Sequence, residues 1–187
     1  MQGLSDQGIW NGLKQTFVKL NQQFKQMILS GSGTTAVIAM IIDGKIWVAN
    51  LGDSRAVLSN GGSPIQLSED AKPRSEGYQN SIVKRGGFVS NSRVGGILSV
   101  ARTIGDPLVQ GVSARPKITN YRLSDIRDES HQILACDGVY DVASTRQVVD
   151  KVYRNRNESA EELVKMIVRT AYSAMSSDNL SALIVKF

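Results

Sequence analysis

Apolar side chains recur at every third or fourth position through residues 9–29, beginning with Ile9, Leu13 and Phe17. This spacing places them on one face of a helix. Serine and glycine alternate at positions 30–33, and both residue types favour turns over helix. We therefore predict a long amphipathic helix that ends at residues 30–33.

Four stretches that follow have the apolar, β-branched composition of strands. The first is apolar throughout and is expected to be covered on both faces. Asp43-Gly44 is a hairpin signal between the first two stretches, and tight turns separate the others. The stretches are residues 35–42, 45–51, 55–59 and 65–67. Because short turns join them in succession, the sequence predicts one antiparallel meander.

Residues 68–111 differ in character, since glycine pairs and short apolar pieces replace the long periodic runs. One short helix over residues 79–85 and some irregular strands are predicted there. The density of glycine favours backbone bends and a mobile flap.

The last part of the chain is regular again. Strands are predicted at residues 132–137 and 180–187, where apolar residues dominate. Between them, a serine followed three residues later by Gln or Glu opens each of two helices. These helices are expected from Ser144 to about residue 153 and from Ser159 to about residue 172.

Composition and charge limit the class of protein. The 187 residues suffice for one domain with its own core, and we predict a single domain over residues 1–187. No 18-residue apolar run exists, so no membrane partner is expected. The net charge of +5 comes from scattered basic residues, which favours a solvated basic surface and no nucleic-acid partner. A single cysteine, Cys136, and the lack of a signal peptide predict an intracellular location, cytoplasmic or nuclear.

Three aspartates stand at the ends of apolar runs: Asp53, Asp137 and Asp178. Turn chemistry explains any one of them alone, because an aspartate side chain bonds the backbone two residues on. If the fold brings them together, they suit a hard cation such as Mg or Mn. Zinc is disfavoured because Cys136 and His131 are the only soft or imidazole ligands.

The cysteine and the histidine are both expected to be outside the chemistry. Cys136 lies within an apolar strand, so we predict a small buried hydrophobe rather than a reactive thiol. His131 precedes that strand and is predicted to lie at a surface edge. The lack of a serine-nucleophile motif argues against a Ser-His-Asp hydrolase.

Seven motifs occur in one order along nearly the whole chain. They are SGTTAVIAMI (32–41), ANLGDSRAVL (49–58), LSEDAKP (67–73), GGFV (86–89), RVGGILSVARTIGD (93–106), ILACDGVYDV (133–142) and SSDNLSALIV (176–185). In this order and spacing the chain resembles the metal-dependent serine/threonine protein phosphatases of type 2C.

The resemblance implies an α+β fold, a four-layer α-β-β-α sandwich of two antiparallel sheets flanked by helices. It implies a two-metal site for Mg or Mn at one end, with a flap over residues 74–110. The substrate would be a phosphoprotein, and a metal-activated water would attack the phosphorus without a phosphoenzyme.

The resemblance also implies roles for particular residues. Asp137 and Asp178 would bind one of the two metals, with Gly138 and Asn179 near that site.

A weaker third metal is implied in the same way. Asp53 and Asp141 would bind it, and Thr35 would lie near it.

Several parts of the family's pattern have no counterpart in this sequence. Missing are a phosphate-binding arginine, a Glu-Asp pair after it, and an Asp-Gly-His-Gly-Gly motif whose aspartate bridges both metals. The LSEDAKP motif also has Ala71 where the family has histidine. We therefore expect an N-terminally truncated domain with weak or absent metal binding, and no catalytic residue is assigned.

Two functions remain open on these grounds. One is a serine/threonine phosphatase domain that is incomplete in this chain. The other is a catalytically inactive phosphatase-like module that binds a protein partner. Missing strands would expose sheet edges and core, so we expect either a poorly soluble monomer or a chain completed by a partner through those edges.

Overall fold

The computed structural model describes residues 5–27 and 31–187. Its helices are α1 (Asp6–Met27), α2 (Glu76–Lys84), α3 (Asp137–Tyr140), α4 (Thr145–Arg154) and α5 (Ala160–Ser173). Its strands are β1 (Gly33–Thr34), β2 (Ala36–Ile42), β3 (Lys45–Leu51), β4 (Arg55–Asn60), β5 (Ser63–Gln66), β6 (Val89–Ser90), β7 (Arg93–Val94), β8 (Ile104–Gly105), β9 (Lys117–Arg122), β10 (His131–Ala135) and β11 (Ala182–Lys186). Antiparallel sheets and helices together make up the predicted α+β class.

The predicted N-terminal helix is present as α1, which buries Ile9, Leu13 and Phe17 on one face. Residues 28–30 lie outside the described part of the chain, so the predicted end of the helix is not described. The short helix expected at residues 79–85 is also present, as α2, and it begins three residues earlier at Glu76.

The prediction of one meander is wrong, because the four strands belong to two different sheets. β2 and β3 lie in a three-stranded sheet of order β2-β3-β9, whereas β4 and β5 lie in a four-stranded sheet of order β11-β10-β4-β5. The turn between β3 and β4 contains Gly52 with a φ of 111°, a conformation that side chains disfavour. Local turn signals predicted the turn but not the change of sheet.

The strand β2 also differs from its prediction. Ile38 and Ile41 are exposed and the other residues are half-buried, so β2 is not covered on both faces. Its position at the edge of the three-stranded sheet gives it one neighbouring strand. The predicted hairpin after it is confirmed, since Asp43 and Gly44 both have positive φ, as a type I′ turn requires.

The chain folds into two compact units. The first contains residues 1–38, 49–53 and 69–118, and the second contains residues 39–48, 54–68 and 119–187.

The second unit holds the four-stranded sheet and the helices α4 and α5. The sheet is antiparallel, with Ile133 of β10 opposite Val57 of β4 and Ile184 of β11. These three side chains belong to one core cluster together with buried residues of α4 and α5. The capping box predicted at Ser144 is present, and the side chain of Ser159 accepts a hydrogen bond from the Glu162 N–H.

The first unit holds α1, α2 and the short ribbons β1-β8 and β6-β7. The segment expected to form the flap, residues 74–110, contains α2, β6, β7 and β8. A small core of its own includes Tyr78, Ile82 and Val94. The flap role remains a prediction.

Candidate metal and phosphate site

Asp137 is the first residue of α3 rather than the last residue of a strand. The preceding strand β10 ends at Ala135, two residues earlier than predicted. The Asp137 carboxylate accepts a hydrogen bond from the Gly138 N–H, with Oδ1 at 3.0 Å from the nitrogen.

The loop that carries Asp178 is hydrogen-bonded to the segment around Asp137. The Cys136 N–H donates to the Ser181 carbonyl at 3.1 Å, and the Ser176 hydroxyl donates to the Gly138 carbonyl at 2.7 Å. These bonds connect both ends of the loop, residues 176–181, to the start of α3.

Gly138 permits the close approach of this loop. A Cβ atom at this position would lie 2.5 Å from the Asn179 carbonyl oxygen and 3.2 Å from the Asp178 Cβ. The Asp178 carboxylate accepts a hydrogen bond from the Asn179 N–H at 2.7 Å. The structure thus brings together four residues that the sequence assigned to one site: Asp137, Gly138, Asp178 and Asn179.

Asp141 lies one helical turn after Asp137. Its N–H donates to the Asp137 carbonyl at 2.8 Å, and its side chain is exposed. Residues four apart on a helix share a face, so the two carboxylates belong to one side of α3.

Asp53 and Thr35 belong to the other compact unit and form a group of their own. Asp53 is buried, with 4% of its surface exposed, and its Oδ2 lies 2.5 Å from Lys72 Nζ. Thr35 packs against Gly52, where an added Cβ would lie 2.3 Å from the Thr35 methyl carbon. The structure therefore places Thr35 beside the turn that carries Asp53, and its place near a third metal stays a prediction.

The position of Lys72 is held by the same turn. The N–H of the preceding residue, Ala71, donates to the Gly52 carbonyl at 2.8 Å, and Asn50 Nδ2 donates to the Gly52 and Glu69 carbonyls at 3.3 and 3.0 Å. Sequence reasoning assigned Lys72 no role. Its place in the LSEDAKP motif could have indicated a role for Lys72. The sequence does not show the pairing, because Asp53 lies 19 residues away along the chain.

The environment of Cys136 differs from its prediction. Cys136 is half-buried rather than enclosed in the core. Its thiol donates to the Asn179 carbonyl and its sulfur accepts from the Ser181 N–H, both at 3.2 Å. The thiol is thus part of the junction with the Asp178 loop, because β10 ends before it.

His131 also differs, since it is buried with 1% of its surface exposed rather than lying at a surface edge. It lies opposite Ser59 of β4 and Lys186 of β11, on the strand between these two in the four-stranded sheet. Burial lowers the pKa of His131, and the charge of Lys186 lowers it further.

The carboxylates only partly fit the metals that the resemblance implies. Asp137 and Asp178 supply oxygen ligands of the type that Mg and Mn prefer. Within residues 5–27 and 31–187, however, no group of three or more His, Cys, Asp or Glu side chains is arranged to hold a metal ion. The described residues therefore supply two aspartates of the implied site without a third ligating side chain grouped with them.

Comparison with known proteins identifies the family. The family model described as Protein phosphatase 2C matches residues 4–180. The chain belongs to the protein phosphatase 2C family. The motif-based prediction of the family is therefore confirmed.

Curated relatives have the same family in their names. The chain is 36% identical to Probable protein phosphatase 2C 9 of Arabidopsis thaliana, over 98% of this chain and 68% of the relative. It is 34% identical to Probable protein phosphatase 2C 54 of Oryza sativa subsp. japonica, over 94% of this chain and 51% of the relative. The chain thus spans about half to two thirds of the length of these relatives.

Solved structures show the same fold. A C. elegans sex determining protein matches with a TM-score of 0.84 at 26% identity, over 97% of this chain and 48% of that chain. A phosphatase from a pathogenic strain of Toxoplasma gondii matches with a TM-score of 0.66 at 32% identity, over 79% of this chain and 50% of that chain. The predicted fold class is confirmed by this likeness. In the described part of the chain, no helix is long and apolar enough to cross a membrane.

Proposed function

We propose that this chain takes part in the dephosphorylation of phosphoserine and phosphothreonine in proteins. Family membership supports this class of reaction. The observation that carries the proposal for this chain is the junction of α3 with residues 176–181, which brings Asp137 and Asp178 together. The resemblance to the family assigns metal binding to these two aspartates.

The roles proposed for the chain's own residues follow from the junction. Asp137 and Asp178 hold a shared Mg or Mn ion through carboxylate oxygens. Gly138 lets the two loops approach, and Asn179 fixes the Asp178 carboxylate by donating its N–H. When bound, the metals of such a site supply a water that is nucleophilic at neutral pH.

The remaining ligands are proposed to come from protein residues outside this sequence. Two carboxylates neutralise only half of the four positive charges on two divalent ions. A bridging acid and a phosphate-binding arginine are therefore needed, and no motif for either is present. A third, weaker ion remains a prediction from the resemblance alone.

A second candidate function is a catalytically inactive phosphatase-like module that binds a protein partner. Two observations favour it. Within the described ranges no group of three metal-ligating side chains is formed, and the Asp53 carboxylate is already paired with Lys72.

The two functions are distinguished by hydrolysis of a phosphothreonine peptide in the presence of Mn²⁺. The phosphatase proposal expects a Mn²⁺-dependent rate that Asp137→Asn and Asp178→Asn each reduce by at least about tenfold, since both ligands hold the metal that activates the water. Asp128→Asn is the matched control, because Asp128 is an exposed aspartate outside the junction. Equal background rates in all four proteins would refute catalysis by this polypeptide and favour the binding module.

Association with another protein chain is also proposed, through the outer strand of the four-stranded sheet. Among the described strands β11 has a neighbour on one side only, and the alternate residues Leu183, Val185 and Phe187, the last just beyond the strand, are exposed. An edge strand with an apolar row is a template for pairing. We further propose an intracellular location, cytoplasmic or nuclear, on the basis of the single cysteine.

A further inference from the structure

An open groove of about 450 Å³ runs along α1 and is bordered by Arg115. Helix α1 and Arg115 belong to the same compact unit. The volume is within the range of ligand-binding clefts in proteins. No residue of the groove belongs to the Asp137–Asp178 junction.

The floor of the groove is a stripe of α1 made of Asn11, Gln15, Val18 and Gln22. Their spacing of four, three and four residues puts them on one face of the helix. Three of the four side chains are amides, which donate and accept hydrogen bonds. Such a floor can pair with the N–H and C=O groups of a peptide backbone.

Positively charged side chains flank this stripe. At 3.6 residues per turn, Lys14 and Lys19 lie about 70° to either side of the stripe's centre. Arg115 adds a third charge from the segment before β9. The lysines are five residues apart, a rise of about 7.5 Å along the helix.

The groove contains no compensating acid. The sequence has no Asp or Glu from Gln7 to Ile42. Within the described residues, neither Lys19 nor Arg115 forms an ion pair, and the Lys14 ammonium lies over the Trp10 ring at 4.6 Å from its centroid. The positive charge is therefore available to an external anion.

The backbone that carries Arg115 is held in place. Arg102 Nη1 donates to the Arg115 carbonyl at 2.8 Å, and the Arg115 N–H donates to Ser113 Oγ at 3.3 Å. Arg102 and Arg115 also make the local electrostatic potential more positive, as their effect on a neighbouring arginine shows. Burial lowers the pKa of the Arg85 guanidinium, and the charges of Arg102 and Arg115 lower it further.

We propose that this groove binds an acidic segment of a protein partner in extended conformation. Alternate residues of an extended chain are about 7 Å apart, close to the axial offset between Lys14 and Lys19. The two lysines lie on opposite flanks of the stripe, so they would meet acidic side chains on the two sides of the bound chain, and Arg115 would meet a third. Nucleic acid is a poorer match, because Trp10 is covered by Lys14 and the lining supplies no aromatic face for stacking bases.

Fluorescence anisotropy at low salt tests this binding. The probe is a labelled ten-residue peptide in which glutamate alternates with serine, and the matched control peptide has glutamine in place of glutamate. We expect binding of the glutamate peptide only, weakened by added salt because the contacts are charged. The triple variant Lys14→Gln, Lys19→Gln, Arg115→Gln should bind about tenfold more weakly, since each exposed charge pair contributes modestly.

Lys25→Gln is the control variant, because Lys25 is an exposed lysine of the same helix that does not line the groove. It should bind as the unchanged chain does. The single variant Arg115→Glu tests the groove without altering α1 and should also bind the glutamate peptide more weakly. Equal binding of the two peptides, an equal loss in Lys25→Gln, or tighter binding of a ten-nucleotide single-stranded RNA would each overturn the proposal.

Discussion

Lys72 Nζ lies 2.5 Å from the Asp53 carboxylate, and Asp53 is buried with 4% of its surface exposed. A buried carboxylate is costly without a partner, because it has lost its hydration. The ion pair with Lys72 also affects whether the Asp53 carboxylate can bind a cation. A cation at Asp53 has to displace or share the lysine, so the third metal that the resemblance implies competes with Lys72.

Replacing Lys72 should destabilise the fold. Lys72→Met removes the partner of a buried charge, and we expect a loss of about 1–3 kcal/mol in the free energy of unfolding. Urea denaturation measures this loss. Lys117→Met is the matched control, because the Lys117–Glu69 pair is exposed, 3.6 Å long, and expected to contribute less than about 1 kcal/mol. Equal losses in the two variants would show that the burial of Asp53 does not determine the loss in the free energy of unfolding.

The Gly138→Ala change should disrupt the junction of α3 with the Asp178 loop. Its Cβ would lie 2.5 Å from the Asn179 carbonyl, a backbone atom that cannot rotate away. We expect a loss of about 1–3 kcal/mol in stability and the loss of Mn²⁺-dependent hydrolysis. Gly77→Ala serves as control, because Gly77 lies in α2 with nothing within 4 Å of an added Cβ. Retained activity and stability in Gly138→Ala would contradict the assigned role of Gly138.

Local sequence signals account for what was predicted correctly. The capping box at Ser144 and the hairpin at Asp43-Gly44 both depend on residues within a few positions of each other. Sheet membership does not, and so the passage of the chain from the sheet of β3 to that of β4 was missed. The strand β9 was also missed, because Lys117–Arg122 alternates too few apolar residues to stand out.

The site shows the same limit. The motifs single out Asp137 and Asp178 as metal ligands, which stays a prediction, and the structure brings the segments that carry them next to each other. Neither the Lys72–Asp53 pair nor the burial of His131 is visible in the sequence. Both depend on residues that are distant along the chain, such as Ser59 and Lys186 beside His131.

The buried His131 should make stability depend on pH. Its pKa is lowered from the ordinary value of 6.5 by burial and by Lys186, while Glu129 acts in the opposite direction. The unfolded chain therefore binds the proton more readily than the folded chain. The contribution to stability is fully present above pH 6.5 and falls as the pH drops toward the lower folded pKa, by at most about 1.4 kcal/mol per pH unit.

This titration can be measured directly, because His131 is the only histidine in the sequence. NMR of the imidazole in the folded chain should give a pKa below 6.5, and urea midpoints should decrease between about pH 7 and pH 5. A His131 pKa at or above 6.5 would contradict the burial that the structure shows.

The outer edge of β11 should drive association between copies of the chain. Leu183 is 53% exposed on a strand with one neighbour, so Leu183→Glu is expected to shift a concentration-dependent oligomer toward monomer. Sedimentation velocity measures this shift. Ile97→Glu is the matched control, because Ile97 is an exposed apolar residue outside the sheet. An unchanged chain that stays monomeric at all concentrations contradicts the proposed edge association.

The most direct test of the proposed site is a Mn²⁺ titration by isothermal calorimetry on four proteins. These are the unchanged chain, Asp137→Asn, Asp178→Asn and the control Asp128→Asn. We expect weak binding of one ion by the unchanged chain and by Asp128→Asn, and its loss in the other two variants. Binding that survives both Asp137→Asn and Asp178→Asn, or no binding by the unchanged chain, would contradict the assignment of these two aspartates as a shared metal site.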